Sequence, residues 1–189
     1  WKKAMTNVDV HRIRPAGRHV LTIGRDLIQD PYAAIVELVK NSFDADSPDV
    51  RVMFSVSDGQ SRLTIRVDDH GHGMTRDTVI RKWLVPSTDD KGSRVLSPKG
   101  RIMQGRKGIG RYAASLLGDD LLLETVTAEG EKTTVYLAWK QFEEAEYLDD
   151  VEVLVETKLA VDESAGTRLT IGAGHDAIAS WDNRQFERL

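Results

Sequence analysis

Asp30-Pro31 opens a helix and Asp46-Ser47-Pro48 stops one. Between them Glu37, Asn41 and Asp44 fall at i, i+4 and i+7, so three polar groups share one helix face. One helix thus carries a chemical face. Two short runs come next, Val50 to Val56 and Leu63 to Val67, joined by a Ser-Asp-Gly turn, and Leu63, Ile65 and Val67 alternate with Thr64 and Arg66. Period-two alternation of this kind reads as a hairpin with one buried face. The hairpin delivers the chain to Asp69-His70-Gly71-His72-Gly73-Met74. A carboxylate at a strand end and two glycines, which tolerate φ > 0 and close backbone approach, suit a flat, polar ligand. The helix face suits a metal ion and a water.

A third segment, Gly105-Arg106-Lys107-Gly108-Ile109-Gly110, runs into the apolar helical pattern Tyr112-Ala113-Ala114-Ser115-Leu116-Leu117 and stops at Gly118. Glycines at a helix entrance present backbone N–H groups and the positive dipole end to a phosphate. Two rival glycine-loop readings fit less well. Gly100 to Lys107 nearly spells a P-loop, but Arg106 stands in the lysine slot and no hydroxyl follows. Gly108-Ile109-Gly110-Arg111-Tyr112-Ala113 matches a dinucleotide fingerprint, but Pro, Lys, Gly and Arg precede it where a buried strand belongs.

Taken in order, these segments resemble the GHKL ATPase superfamily of gyrase B, the ninety-kilodalton heat-shock chaperone, histidine kinases and MutL. The first block, E-x-x-x-N-x-x-D-A, is matched by Glu37, Asn41, Asp44 and Ala45, and the second, D-x-G-x-G, by Asp69, Gly71 and Gly73. The glycine block corresponds to Gly105, Gly108 and Gly110, and a closing Gly-Thr on a late strand to Gly166-Thr167. The wording Lys107-Gly108-Ile109-Gly110-Arg111 is closer to chaperone-like and MORC-like members than to kinases.

The resemblance implies an α+β Bergerat fold: a two-layer sandwich with a mixed sheet and helices on one face. It implies ATP with Mg²⁺. Asp69 would accept from the adenine 6-amino group, and the carbonyl of guanine would instead leave two acceptors facing each other. Gly71, Gly73 and Met74 would line the base, with Thr167 assisting through its hydroxyl. Asn41 would be the single protein ligand of a hydrated Mg²⁺, and Glu37 would orient or deprotonate the attacking water. Asp44 belongs to the nucleotide-binding set as an orienting group. Gly105, Gly108, Ile109 and Gly110 would hold phosphates, helped by the charges of Lys91, Lys107 and Arg111. Two other readings stay open: a nucleotide sensor with negligible turnover, and a histidine-kinase catalytic domain, which needs a phosphoacceptor helix pair not written before residue 30.

Composition fits one well-buried domain: 189 residues, 40% hydrophobic and 30% charged. No cysteine is present, so disulfides and thiolate metal sites are ruled out. His70 and His72 alternate in a loop without ligand spacing. Neither an apolar run of about 18 residues nor a signal-peptide pattern is found, which predicts a cytoplasmic protein without membrane contact.

Charge is unevenly spread. From Arg81 to Arg111 nine lysines and arginines stand against Asp89 and Asp90, a net of +7 in a chain whose total is −4. Lying just ahead of the glycine loop, that field suits a nucleotide triphosphate. With a pI near 5.8, nucleic acid would be reached only through other domains.

The domain is expected over residues 21 to 189, with a lid over about 76 to 104 that carries a short helical piece from Val79 to Leu84. Residues 1 to 20 are an N-terminal extension, either a tail or a strap to the partner of a nucleotide-dependent homodimer. A helix is expected over 111 to 117, with strands at Leu121 to Thr127, Thr133 to Trp139, Val151 to Glu156 and Arg168 to Ile171. In related proteins a following C-terminal domain gives a Lys or Arg to the terminal phosphate. Residues 1 to 189 alone are therefore expected to bind Mg-ATP and turn it over slowly.

Overall fold

The computed structural model describes residues 11–28, 30–57, 61–86, 96–105, 110–160, 162–174 and 181; Lys91, Arg106, Lys107, Gly108 and Ile109 lie outside them. Six strands form one sheet: β1 (Val50–Val56), β2 (Arg62–Asp69), β3 (Asp120–Val126), β4 (Glu131–Ala138), β5 (Val155–Leu159) and β6 (Gly166–Gly174). Their order across the sheet is β1-β2-β6-β3-β4-β5. Every pairing among them is antiparallel, where a mixed sheet was expected. The reason is topological. The last strand inserts between two hairpin-built halves, and that slot leaves no parallel neighbour.

Helices cover one face. α1 (His19–Leu27) and α2 (Pro31–Asp44) lie there, with a 3-10 helix at Gly110–Leu116 and α4 (Trp139–Glu144); α3 (Arg76–Thr78) leads into a π turn at Val79–Trp83. α2 starts as its sequence dictates: the Asp30 carboxylate accepts from the Ala33 N–H at 2.8 Å and Pro31 takes the first turn. A cap of this kind contributes about 1 kcal/mol. Its Ala34, Ile35 and Leu38 are buried against Ile65, Val67, Leu121, Leu123 and Ile171 in one core.

The opposite face of the sheet is polar. Arg51, Asp68, Arg168, Glu124, Thr134 and Glu156 stand in register across the strands. Asp68 takes Arg66 at 2.6 Å and Arg168 at 3.0 Å, and Lys132 reaches Glu124 at 3.2 Å. The arginine pairs of Asp68, with half-exposed guanidinium groups, are each worth at most about 1 kcal/mol, and the row makes this face polar where the other is apolar.

Three elements depart from the sequence reading. α1 was not anticipated, because Val20, Thr22 and Ile23 are β-branched and Gly24 is a poor helix former; packing overrides propensity, and Val20 and Leu21 are buried. Trp139 begins a helix instead of ending a strand, and Trp139 and Phe142 are buried at helical spacing. β5 starts at Val155, although Val151 and Val153 carry the alternation. Those two valines pack against the core without joining the ladder, so period two reported their burial and not their pairing. The 111 to 117 helix is of the 3-10 kind. Ahead of α1, Arg14 pairs with Asp149 and Asp150, and Pro15 accepts the N–H of Leu148 at 2.9 Å.

Candidate nucleotide site

Asp69 ends β2 on its helix-facing side, since Leu63, Ile65 and Val67 are buried two residues apart before it. In register with it across the sheet stand Thr167, Thr125, Thr133 and Thr157. The site therefore has a floor of short polar side chains. One Asp69 oxygen accepts from the N–H groups of Gly71 at 2.9 Å and Thr167 at 3.1 Å, and the Ser42 hydroxyl also bonds the carboxylate. Three donors converge on it, and a carboxylate has about four acceptor positions. The fourth suits an amino group.

Burial pushes the Asp69 carboxyl above its ordinary range, and the bonds from Gly71, Ser42 and Thr167 and the charge of His72 pull the other way without cancelling it. Thr125, fully buried, accepts from the Met74 N–H at 2.8 Å and lies 3.0 Å from the Thr167 hydroxyl. Met74 and Thr167 are thus fixed to the same strand pair.

The glycines answer to the protein's own backbone. Gly73 has φ of 67°, and a Cβ there would lie 1.9 Å from the Val126 carbonyl; at Gly71 it would lie 2.6 Å from that of Ala45. Gly166, at φ 151°, crosses Asp69 so closely that a Cβ would sit 2.1 Å from its carbonyl oxygen. These contacts press the Asp69 loop onto α2 and β3.

On α2, Asp44 is 3% exposed, and its two oxygens take the N–H groups of Gln104 at 2.7 Å and Gly105 at 2.9 Å. It anchors the start of the glycine segment. Glu37 lies two turns earlier and accepts from its neighbour Lys40 at 2.7 Å. Asn41, half-buried, stands between them along the helix. Gly110 and Arg111 open the 3-10 helix. Among the described residues no three His, Asp or Glu side chains form a metal cluster. Asn41, one helical turn after Glu37, carries an amide oxygen of the kind that a hydrated hard cation takes as a ligand.

Sequence reasoning missed Ser42, Thr125 and Asp46. Ser42 follows Asn41 on the helix, and Thr125 takes the inward-facing slot that comes next after Leu121 and Leu123 in the alternation of β3. Either could have been flagged as a polar residue at a core position. Asp46 was read only as a helix stop.

Helices on one face of an antiparallel sheet, with a buried carboxylate tied to a Gly-Thr strand and to the helix above it, define an ATP-binding domain of the Bergerat fold. The chain belongs to the family described as histidine kinase-, DNA gyrase B- and HSP90-like ATPases, whose profile matches residues 29–167. It is 38% identical over 55 residues to the DNA mismatch repair protein MutL of Trichlorobacter lovleyi. That stretch is 29% of this chain and 9% of the relative's length. Among the described residues no helix is long and apolar enough to cross a membrane.

Proposed function

We propose that this domain binds Mg-ATP, hydrolyses it slowly and couples the bound triphosphate to closure of a lid and to homodimerisation of a larger protein. The observation that carries the reading is the tying together of distant motifs: Asp69 is bonded to Thr167, and Asp44 to Gly105. The adenine amino group goes to Asp69, with Gly71, Gly73 and Met74 around the base and Thr167 assisting. Phosphates go to the segment Gly105 to Gly110, with Ile109 among its backbone donors and Lys91, Lys107 and Arg111 as its charges. Mg²⁺ supplies neutralisation of the phosphate oxygens and is held by Asn41. Glu37 takes the proton of the attacking water. A cytoplasmic setting, kinship with chaperone-like or MORC-like members and a dimer strap at residues 1 to 20 belong to the same reading.

A titration of ATP with and without Mg²⁺ tests the metal assignment. Asn41→Ala is expected to remove most of the affinity gained from Mg²⁺, because the substitution takes away the one neutral amide oxygen on this face of α2. An unchanged Mg²⁺ effect would assign the ion to other residues. The lid is tested by hydrogen exchange. Residues 76–86 and 96–105 are expected to slow on adding a non-hydrolysable ATP analogue with Mg²⁺, and unaltered exchange in both would count against closure.

The sensor reading keeps one observation in its favour, the engagement of Glu37 by Lys40. An i, i+3 pair on a helix is worth only about 0.3 kcal/mol. That is too little to hold the carboxylate from a bound nucleotide.

A further inference from the structure

α2 ends in a Schellman arrangement: the Asp46 N–H donates to the Phe43 carbonyl at 3.1 Å and the Ser47 N–H to that of Ser42 at 3.1 Å. The residue that turns left-handed in such an ending is usually glycine. Here it is Asp46, at φ 61°, among the described residues the one non-glycine with positive φ. Its side chain is 3% exposed. A strained, buried acidic residue calls for a reason.

The reason lies 51 residues on. One Asp46 oxygen accepts from the Ser97 hydroxyl at 2.5 Å, and the other from the Lys99 N–H at 2.9 Å. The Ser97 hydroxyl in turn accepts from the Arg101 N–H at 2.9 Å, and the Ser97 N–H donates to the Arg101 carbonyl at 2.8 Å. Arg101 then folds back onto α2, donating to the Ser47 carbonyl at 2.7 Å, with its guanidinium 4.9 Å over the Phe43 ring. Leu96 and Ile102 close the turn by an isolated bridge. Three residues later Gln104 and Gly105 meet Asp44. Two carboxylates at the end of one helix therefore set the whole stretch 97–105, which leads into the glycine segment.

We propose that Asp46 is a positioning residue for triphosphate binding: its carboxylate fixes the turn at 97–101 and through it the place where the phosphate loop begins. The inference rests on the reading of Gly105 to Gly110 as that loop. Among the described residues the Asp46 carboxylate bonds Ser97 and Lys99 and none of the residues assigned to the base, so its effect is expected at the phosphate end of the ligand.

Asp46→Gly keeps the left-handed backbone and removes only the carboxylate. Titrations with adenosine and with Mg-ATP separate the two ends of the site. The expected result is adenosine affinity within about twofold of the parent and Mg-ATP affinity lower by about tenfold. Ser97→Ala, which removes the donor instead of the acceptor, is expected to reproduce this pattern, and it carries the test if the glycine variant does not fold. Unchanged Mg-ATP affinity, or an equal loss for adenosine and Mg-ATP, would overturn the proposal and leave Asp46 with a structural role alone. Asp69→Asn, titrated alongside, is expected to weaken both ligands. If it weakens neither, the underlying site assignment has failed, and that outcome is distinct from failure at Asp46.

Discussion

Replacing Glu37 by alanine is expected to abolish ATP hydrolysis while leaving ATP affinity within a few fold of the parent. A positioned general base contributes roughly a hundred- to ten-thousandfold to such a reaction. Because it acts on water and makes no contact that the ground-state nucleotide needs, its loss falls on kcat. The Lys40 partner sharpens the comparison. Alanine removes the ion pair as well, at a cost to stability of about 0.3 kcal/mol, so a drop in turnover without a matching drop in melting temperature locates the effect in the chemistry. Turnover equal to the parent would remove Glu37 from the mechanism and favour the sensor reading.

Asp69→Asn is expected to weaken adenine nucleotides by about 2 kcal/mol, or roughly thirtyfold, since the amide can turn a donor toward the 6-amino group and loses the charge-assisted bond. The same substitution is expected to leave the ligand-free domain as stable or more stable at neutral pH. Burial raises the Asp69 carboxyl in the fold above its ordinary 3.8, so the native state favours the protonated form. Its contribution to stability is then fully present below 3.8 and lost as pH rises through the folded value. As pH rises the parent must carry more of the ionised, desolvated carboxylate, which Asn replaces with a neutral group still able to accept from Gly71 and Thr167. Thermal unfolding across pH checks this. The variant's advantage should shrink as pH falls toward the ordinary carboxylate range, and an advantage that grows in acid would contradict it.

What could be read from the sequence was local. The Asp30 cap, the polar face of α2 at Glu37, Asn41 and Asp44, the alternation of β2 and the order of glycine motifs are all written within a few turns or strands. Long-range ties were not legible. Asp46 looks like a helix terminator until Ser97 and Lys99 arrive from 51 and 53 residues away. Thr125 looks like strand filler until Met74 and Thr167 bond to it. The glycines of the Asp69 loop were read as making room for a ligand, and the structure adds a demand from the protein itself, the backbone of Val126 and Ala45. Lys91, Lys107, Gly108 and Ile109 lie outside the described residues.

The position of β6 bears on how this domain comes into being during synthesis. Asp69 must wait for Thr167, 98 residues later, before the last of its three donors is in place. Until the last strand emerges, β1-β2 and β3-β4-β5 are separate half-sheets, each with an open edge where β6 will go. Edges of that sort recruit other strands, and pairings of such long sequence separation form slowly. On the proposed assignment of adenine to Asp69, the base cannot stabilise a partly made chain, because its acceptor is completed by the same event that closes the sheet. On that reading a nascent chain keeps two open sheet edges until β6 docks, and ATP can reward folding only afterwards.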